Sequence, residues 1–178
     1  MLLIGVIIYI IIGSFLYNRS KLTGAIFILC PLVLLVGWWI AATNHYFVSS
    51  TNLEYVSIGE YRLNETLTND DMSKYGSYEK RENNGGYSYD YGDLFVSTDG
   101  ENKIVSLSTA AMPIEPSSVL KIGDTLEKAK LIYGDNYYSY REMGLGKARV
   151  YVDRNNKYKL TIWSKDNNTV ANIWLSVY

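Results

Sequence analysis

Few residues of this sequence have the types and spacing that catalysis requires. The 178-residue chain has one histidine, His45, and one cysteine, Cys30, and both lie in or beside apolar segments. Acid–base and thiol chemistry rely on such groups with polar partners nearby. His45 is better explained as a polar residue at a membrane boundary. The adjacent Asp70 and Asp71 lie in a polar stretch typical of a turn or a helix start. The sequence therefore predicts no catalytic residue and disfavours an enzyme.

Metal and phosphate sites are equally unsupported by the pattern of residues. Asp99-Gly100 and Asp166-Asn167-Asn168 are typical of hairpin turns and lack the ligand repeat of a calcium loop. Gly85-Gly86 and Gly144-Leu145-Gly146 lack the strand-to-helix context of a phosphate loop. We therefore predict neither a metal nor another cofactor.

Aromatic residues have the clearest capacity for recognition. Alternating polarity predicts β-strands over 149–153, 158–163 and 171–177. The side chains predicted to face a core are aliphatic: Val150, Val152, Leu160, Ile162, Ile173 and Leu175. The side chains predicted to face the opposite way are Tyr151, Trp163 and Trp174, with Arg149, Asp153 and Lys159 as a polar rim. Aromatic clusters with such a rim are typical of protein-binding surfaces. Either these six residues bind another protein, or the rest of the chain covers the aromatic face.

The elements that position these strands form an α+β pattern that occurs twice. Ile58-Gly59-Glu60 is echoed by Ile122-Gly123-Asp124, and each is followed by a helical stretch that ends on Tyr-Gly, at 75–76 and at 133–134. The second helix is predicted to begin at Asp124, with Glu127 completing a capping box, and to end at Gly134. The first, within 60–75, is either one helix or two short turns. We predict a duplicated helix-plus-antiparallel-sheet domain, with repeats at 52–109 and 119–178 and a linker at 110–118.

Three further aromatic residues leave two alternatives open. Tyr87, Tyr89 and Tyr91 alternate with polar residues in the first repeat. Either they pack inward or along an edge, or they lie on the same open surface as the tryptophans. In the next predicted strand, Leu94 and Val96 face inward and Phe95 faces outward.

The charge distribution separates this domain from the N-terminal part of the chain. All 18 acidic residues lie at Glu54 or later, whereas Arg19 and Lys21 are the only basic residues before that position. The remaining 15 basic residues are outnumbered by the acidic ones, which disfavours a nucleic-acid partner. The first 48 residues are almost wholly apolar, which indicates a membrane anchor and the lipid bilayer as a partner.

Two apolar runs, 2–17 and 22–43, predict a two-helix transmembrane hairpin. The loop between them carries Arg19 and Lys21, and basic residues in short loops stay in the cytoplasm, so both ends are predicted outside. Trp38, Trp39 and Tyr46 are predicted to lie at the outer membrane interface. A cleaved signal peptide is the alternative, although the apolar run precedes the charges. The cysteine-free outer part is typical of Gram-positive bacteria.

The repeated Ile-Gly-Asp, helix, Tyr-Gly and antiparallel-strand order resembles the tandem repeat of the β-lactamase inhibitory protein family and the SmpA/OmlA-like lipoprotein domains. The residues that carry the resemblance are Ile58-Gly59, Tyr75-Gly76, Ile122-Gly123-Asp124 and Tyr133-Gly134, within 52–178. It implies a concave, aromatic-rich sheet surface that grips a protein partner, with Tyr151, Trp163 and Trp174 on it.

Two classes of function follow from these patterns. The first is a membrane-anchored extracytoplasmic protein-binding module, in its most concrete form an immunity or inhibitor protein acting at the cell surface. The alternative is a structural or assembly component of a bacterial membrane complex, in which the apolar helices carry the specificity.

Overall fold

The computed structural model of the chain describes residues 2–43, 47–83, 85–110, 114–115, 120–143 and 146–178. The chain divides into two compact units, Met1–Tyr46 and Phe47–Tyr178.

The first unit consists of two helices connected by a single residue, Ser20. Helix α1 covers Leu2–Arg19 and α2 covers Lys21–Thr43. The ring of Tyr9 stacks on that of Phe27 at 4.3 Å, and the Tyr9 hydroxyl donates to the Phe27 carbonyl at 2.5 Å. At Gly24 a side chain would collide with the backbone of Tyr17, so glycine permits the close approach of the two helices.

The predicted pair of transmembrane helices is wrong. Within the described residues one helical segment, Lys21–Ile40, is long and apolar enough to cross a membrane. Helix α1 has 18 residues, or roughly 27 Å, which is short of a bilayer core of about 30 Å. The Lys21–Ile40 segment lies at the N-terminal side of the chain, where signal sequences have the same character. Trp38 and Trp39, near its end, are exposed, and Tyr46 lies outside the described residues.

The second unit contains two antiparallel sheets. Three short strands form the smaller one in the order β2-β1-β7: β1 (Ser57–Ile58), β2 (Tyr61–Arg62) and β7 (Ile114–Glu115). The larger sheet has eight strands: β3 (Glu79–Asn83), β4 (Gly86–Asp90), β5 (Leu94–Asp99), β6 (Ile104–Thr109), β8 (Tyr138–Glu142), β9 (Gly146–Asp153), β10 (Tyr158–Ser164) and β11 (Val170–Val177). Its order is β3-β4-β5-β6-β11-β10-β9-β8.

This topology corrects the predicted duplicated domain. The strands form one continuous sheet, because β6 pairs with β11 with Leu107 opposite Leu175. One core then extends across it, from Leu94 and Val96 to Leu160 and beyond. The predicted linker at 110–118 is only partly described, and two of its described residues, Ile114 and Glu115, form β7, which pairs with β1. Two self-contained helix-plus-sheet repeats are therefore absent from the described part of the second unit.

The second unit also contains two short helices, of which the second packs on one face of the large sheet through Leu126 and Ala129. Helix α3 (Asn69–Lys74) begins after Thr68, whose side chain forms a capping box with Asp71. It is shorter than the helical stretch predicted over 60–75, where β2 now lies. Helix α4 (Leu126–Tyr133) begins after Thr125, whose hydroxyl accepts a hydrogen bond from the amide of Lys128.

The cap predicted at Asp124 is wrong by one residue. The carboxylate of Asp124 instead accepts hydrogen bonds from the Lys121 amide at 2.6 Å and from the Lys128 ammonium at 2.9 Å. The predicted end of the helix is confirmed, since Gly134 has a φ of 86° and its amide donates to the carbonyl of Lys130.

The two faces of the large sheet differ in burial. We call the helix-covered side the inner face and the opposite side the outer face. Leu160, Ile162, Ile173 and Leu175 are fully buried on the inner face, as the alternation predicted. Tyr89 is also fully buried there, and Tyr87 and Tyr91 pack against the same core, which settles the alternatives for these tyrosines in favour of the core.

Candidate partner-binding face

One row of side chains crosses four adjacent strands of the outer face, β5, β6, β11 and β10. The row follows from the pairing register, in which Phe95 lies opposite Ser108, Ser108 opposite Trp174, and Trp174 opposite Thr161. Phe95 and Trp174 are therefore two strands apart, or about 10 Å, with the small side chain of Ser108 between them. This arrangement leaves both rings accessible from one side of the sheet.

Trp174 is the most exposed aromatic residue described on this face. Its side chain is 46% exposed, and that of Phe95 is 38% exposed. The indole nitrogen of Trp174 donates a hydrogen bond to the hydroxyl of Ser106 at 2.5 Å. Because this bond fixes the rotamer, the ring is presented to a partner without a large loss of side-chain entropy.

The neighbouring row of the outer face is a ladder of four serines on adjacent strands. Ser88, Ser97, Ser106 and Ser176 lie opposite one another in that order, and the hydroxyls of Ser88 and Ser97 are 3.3 Å apart. These small side chains form a low polar floor beside the two rings. A hydroxyl both donates and accepts hydrogen bonds, so the partly exposed Ser97 and Ser106 can satisfy polar groups of an apposed surface, whereas Ser88 and Ser176 are buried.

Lys159 borders this floor. It lies opposite Ser176 on the outer face and is partly exposed. Of the six residues predicted to bind a partner, Trp174 and Lys159 are therefore the two that the structure leaves accessible on one face.

Trp163 lies on the outer face but is covered. Its side chain is 4% exposed and packs with Ala148, Val150 and Val152 in a second, smaller core. The ring of Tyr140 meets it edge to face at 5.3 Å. The predicted exposure of Trp163 is therefore wrong, because the neighbouring strands β8 and β9 supply apolar cover that its own strand does not reveal.

Tyr151 is on the inner face, contrary to its predicted position. It lies opposite Leu160 and is fully buried, with the rings of Tyr133 and Tyr137 at 5.3 and 5.5 Å. Burial raises the pKa of its hydroxyl. Strand β9 is buried on both faces, so the alternation of Val150 and Val152 with polar neighbours did not reveal which side faces the main core.

Arg149 joins helix α4 to the sheet instead of forming a rim. Its guanidinium donates to the carbonyl of Leu126 at 2.5 Å and to the carboxylate of Glu127 at 2.7 Å. It also lies over the ring of Tyr137, 4.9 Å from the centroid. The hydrogen bond from Arg149 holds the pKa of Glu127 below its usual value.

Asp153 is likewise structural. It is 1% exposed, and its carboxylate accepts hydrogen bonds from the amide of Leu53 at 2.8 Å, the amide of Asn155 at 3.0 Å and the side-chain amide of Asn156 at 2.9 Å. Burial raises the pKa of Asp153, but these hydrogen bonds outweigh it and leave the pKa lowered.

Sequence reasoning missed part of this face. Phe95 was correctly placed outward but was not assigned to the site, and the serine ladder was not recognised. The serine ladder can be recognised only once the strand register is known, because the four serines are separated along the chain and are brought together by strand pairing. Among the residues that the structure describes, no group of three or more His, Cys, Asp or Glu side chains could hold a metal.

Comparison with known proteins gives one distant structural similarity. No family model matches the sequence, and no curated protein matches it. A crystal structure of an extracellular protein containing a SCP domain from Bacillus anthracis str. Ames is similar at a TM-score of 0.38 and 8% identity, over 66% of this chain and 47% of that one. The chain thus spans about half the length of this neighbour, and a likeness at this level identifies neither fold family nor function.

Proposed function

We propose that this protein is a membrane-anchored module that binds another protein outside the cytoplasm through the outer face centred on Trp174 and Phe95. An immunity or inhibitor protein acting at the cell surface is its most concrete form, in keeping with the resemblance to the inhibitor family. The proposal assigns no reaction to the chain.

The observation that carries the proposal is the exposure of two aromatic rings on a floor of small polar side chains. A tryptophan that serves only the fold is normally covered, as Trp163 is on the same face. Trp174 is instead held open by its hydrogen bond to Ser106. Tryptophan in a fixed rotamer is typical of binding hot spots, and Lys159 and the serines supply the polar surroundings that such hot spots have.

The anchor and its orientation follow from the Lys21–Ile40 segment. Arg19 and Lys21 lie at its start, and the next basic residue in the sequence is Arg62. Basic residues beside a span stay in the cytoplasm, so the second unit lies on the opposite side of the membrane. This orientation needs one membrane-crossing segment only.

A capture experiment with the full chain tests the binding function. The tagged protein, solubilised from membranes, is compared with a Trp174→Ala/Phe95→Ala double variant for capture of envelope proteins. Leu131→Ala is the matched control, because Leu131 is apolar and 87% exposed but lies on α4, away from the outer face. Loss of about 2 kcal/mol in affinity, or roughly 30-fold, is expected for the double variant and none for the control.

The same experiment separates the two classes of function. A partner that is captured equally by the parent and by the folded double variant contradicts the outer-face proposal. If that partner is then lost on substitution of exposed side chains of α2, such as Leu32 and Leu35, the structural or assembly role is favoured instead.

A further inference from the structure

The row of the outer face that contains Phe95 and Trp174 is acidic towards the edge of the sheet. Phe95 lies opposite Asp90, and Asp90 lies opposite Glu79 on the edge strand β3. We call this row the ring row. On the six strands from β3 to β10 its members are Glu79, Asp90, Phe95, Ser108, Trp174 and Thr161. The ring row therefore carries two negative charges and no positive charge.

The serine ladder forms the middle of a second row, which has a basic residue at each end. Arg81 lies opposite Ser88 on one side, and Lys159 lies opposite Ser176 on the other. We call this row the ladder row. Its members on the same six strands are Arg81, Ser88, Ser97, Ser106, Ser176 and Lys159. The ladder row carries two positive charges and no negative charge, so the two rows are opposite in charge.

The two rows are related so that a second copy of the face can match the first. On each strand their members are two residues apart, or about 6.7 Å, so the rows run side by side. A twofold axis between the rows and parallel to them places the ring row of each copy against the ladder row of the other, strand by strand. Such an axis gives an isologous interface, in which a contact between two positions occurs twice.

The aromatic side chains fit this arrangement. The exposed ring of Phe95 faces the small side chain of Ser97 of the second copy, since both lie on β5. The hydrogen bond to Ser106 draws the indole of Trp174 towards the ladder row, and so towards the axis, where the indole of the second copy also lies. The rings are thus covered at the centre of the interface, where binding hot spots cluster.

The charged side chains fit it as well. Glu79 and Arg81 form an exposed pair at 2.9 Å within one chain, with side chains that are 64% and 65% exposed. Exposed pairs of this kind contribute little to the stability of a single chain. About the twofold axis, Glu79 of each copy faces Arg81 of the other, and four alternating charges come together. Asp90 and Lys159 face a serine and a threonine, so no like charges are opposed.

We propose that the outer face binds a second copy of this chain, and that the two copies pair through their ring and ladder rows about a twofold axis. This inference rests on the proposed function, because it names a partner for the same face. A different protein that binds at Trp174 and Phe95 then competes with the second copy. Complementary charge fixes the register of the pair, and the rings supply the contact area.

Co-capture of two differently tagged full chains in detergent micelles tests the pairing. Glu79→Arg leaves only positive charge at the β3 end of the interface, and Arg81→Glu leaves only negative charge there. Either variant alone is expected to pair about tenfold more weakly than the parent, because like charges face each other across the axis. A mixture of the two variants, one on each tag, is expected to pair within about threefold of the parent, because opposite charges face each other again.

Glu101 and Lys103 provide the matched control. They form an exposed pair at 2.8 Å with the same spacing of two residues, but in the turn between β5 and β6 and on neither row. Glu101→Lys is expected to leave the pairing unchanged. Circular dichroism of each variant checks that the chain is folded.

Recovery in the mixture supports the twofold pairing, because a defect within one chain would weaken both variants and their mixture alike. Single variants that pair as strongly as the parent, or a mixture as weak as its components, overturn it. A parent that does not pair but captures a different protein through Trp174 overturns this inference and leaves the proposed function intact. A parent that neither pairs nor captures a protein overturns both.

Discussion

Trp163 and Trp174 project from the same face of the large sheet on adjacent strands, yet one is buried and the other is exposed. Trp163 lies opposite Ala148 on one side and Asn172 on the other, with the ring of Tyr140 against it. Trp174 lies opposite Ser108 and Thr161, whose side chains are too short to cover an indole. Cross-strand neighbours, not the strand's own alternation, decide which tryptophan is available to a partner.

The two tryptophans are therefore expected to respond in opposite ways to truncation. Trp163→Ala removes a buried ring from a packed cluster and should lower the free energy of unfolding by about 3–5 kcal/mol. Trp174→Ala should lower it by about 1 kcal/mol or less while weakening partner capture. Urea unfolding of the full chain in detergent micelles, followed by circular dichroism, measures both. A larger loss for Trp174 than for Trp163 would contradict the assigned exposures.

The sequence predicts individual strands better than the way they assemble. The inward positions of Leu160, Ile162, Ile173 and Leu175 are confirmed, because β10 and β11 have one strongly apolar face each. Strand β9 is buried on both faces. Its two valines were therefore assigned to the main core, and this wrongly placed Tyr151, Arg149 and Asp153 on the open face. The joining of β6 to β11 pairs residues such as Leu107 and Leu175, which are far apart in the chain, and no local pattern specifies it.

The same limit applies to the candidate site. Trp174 and Lys159 could be placed on one face from alternation within β10 and β11. Phe95 and the serine ladder could not be joined to them, since that requires the register across β4, β5, β6 and β11. The transmembrane pair was mispredicted because the first apolar run was accepted as a span although it is short: α1 has 18 residues, and only Lys21–Ile40 among the described residues is long and apolar enough to cross a membrane.

Arg149 is expected to be a stabilising residue and not a binding residue. Replacing it with alanine removes the hydrogen bonds to Leu126 and Glu127 and the contact with Tyr137, and should lower the free energy of unfolding by about 2–3 kcal/mol. Arg81→Ala is the matched control, because Arg81 forms an exposed pair with Glu79 and its loss should cost less than about 1 kcal/mol. Reduced partner capture by a folded Arg149 variant would speak against this assignment.

Two buried tyrosines test how much the hydrogen bond of a buried hydroxyl contributes to the free energy of unfolding. The hydroxyl of Tyr151 is buried and has no hydrogen-bond partner among the described residues, whereas that of Tyr158 accepts a bond from the side-chain amide of Asn64 at 2.9 Å. Tyr151→Phe should leave the free energy of unfolding unchanged or raise it, because a desolvated group is removed. Tyr158→Phe should lower it by about 1 kcal/mol. Thermal and urea unfolding of the two variants side by side decide the matter, and an equal loss in both would refute the difference in pairing.

Gly146 is expected to tolerate no side chain. It has a φ of 94°, and an added Cβ would lie 2.2 Å from the carbonyl oxygen of Ser164 on the paired strand. Gly123 has a similar φ of 93° but open space around it. Gly123→Ala should therefore cost about 1 kcal/mol from the backbone conformation alone, and Gly146→Ala clearly more, because β9 and β10 must separate. Amide exchange of β9 and β10 in each variant measures the separation, and comparable protection in both would contradict it.

Asp153 is expected to make the free energy of unfolding depend on pH in the acidic range. Its pKa is lowered in the folded chain by hydrogen bonds from Leu53, Asn155 and Asn156 that outweigh burial. A carboxyl with a lowered folded pKa contributes stability that is present above its unfolded pKa of about 3.9 and is lost as the pH falls through the folded value. Asp71 and Asp124 also have lowered pKa values, so the parent should lose stability below about pH 4 from several groups. Asp153→Asn should be less stable than the parent at pH 7 and should show a shallower loss between pH 5 and pH 2, as measured by urea midpoints. If the urea midpoint of the variant falls with pH as steeply as that of the parent, the hydrogen bond from the Leu53 amide does not depend on the charge of Asp153.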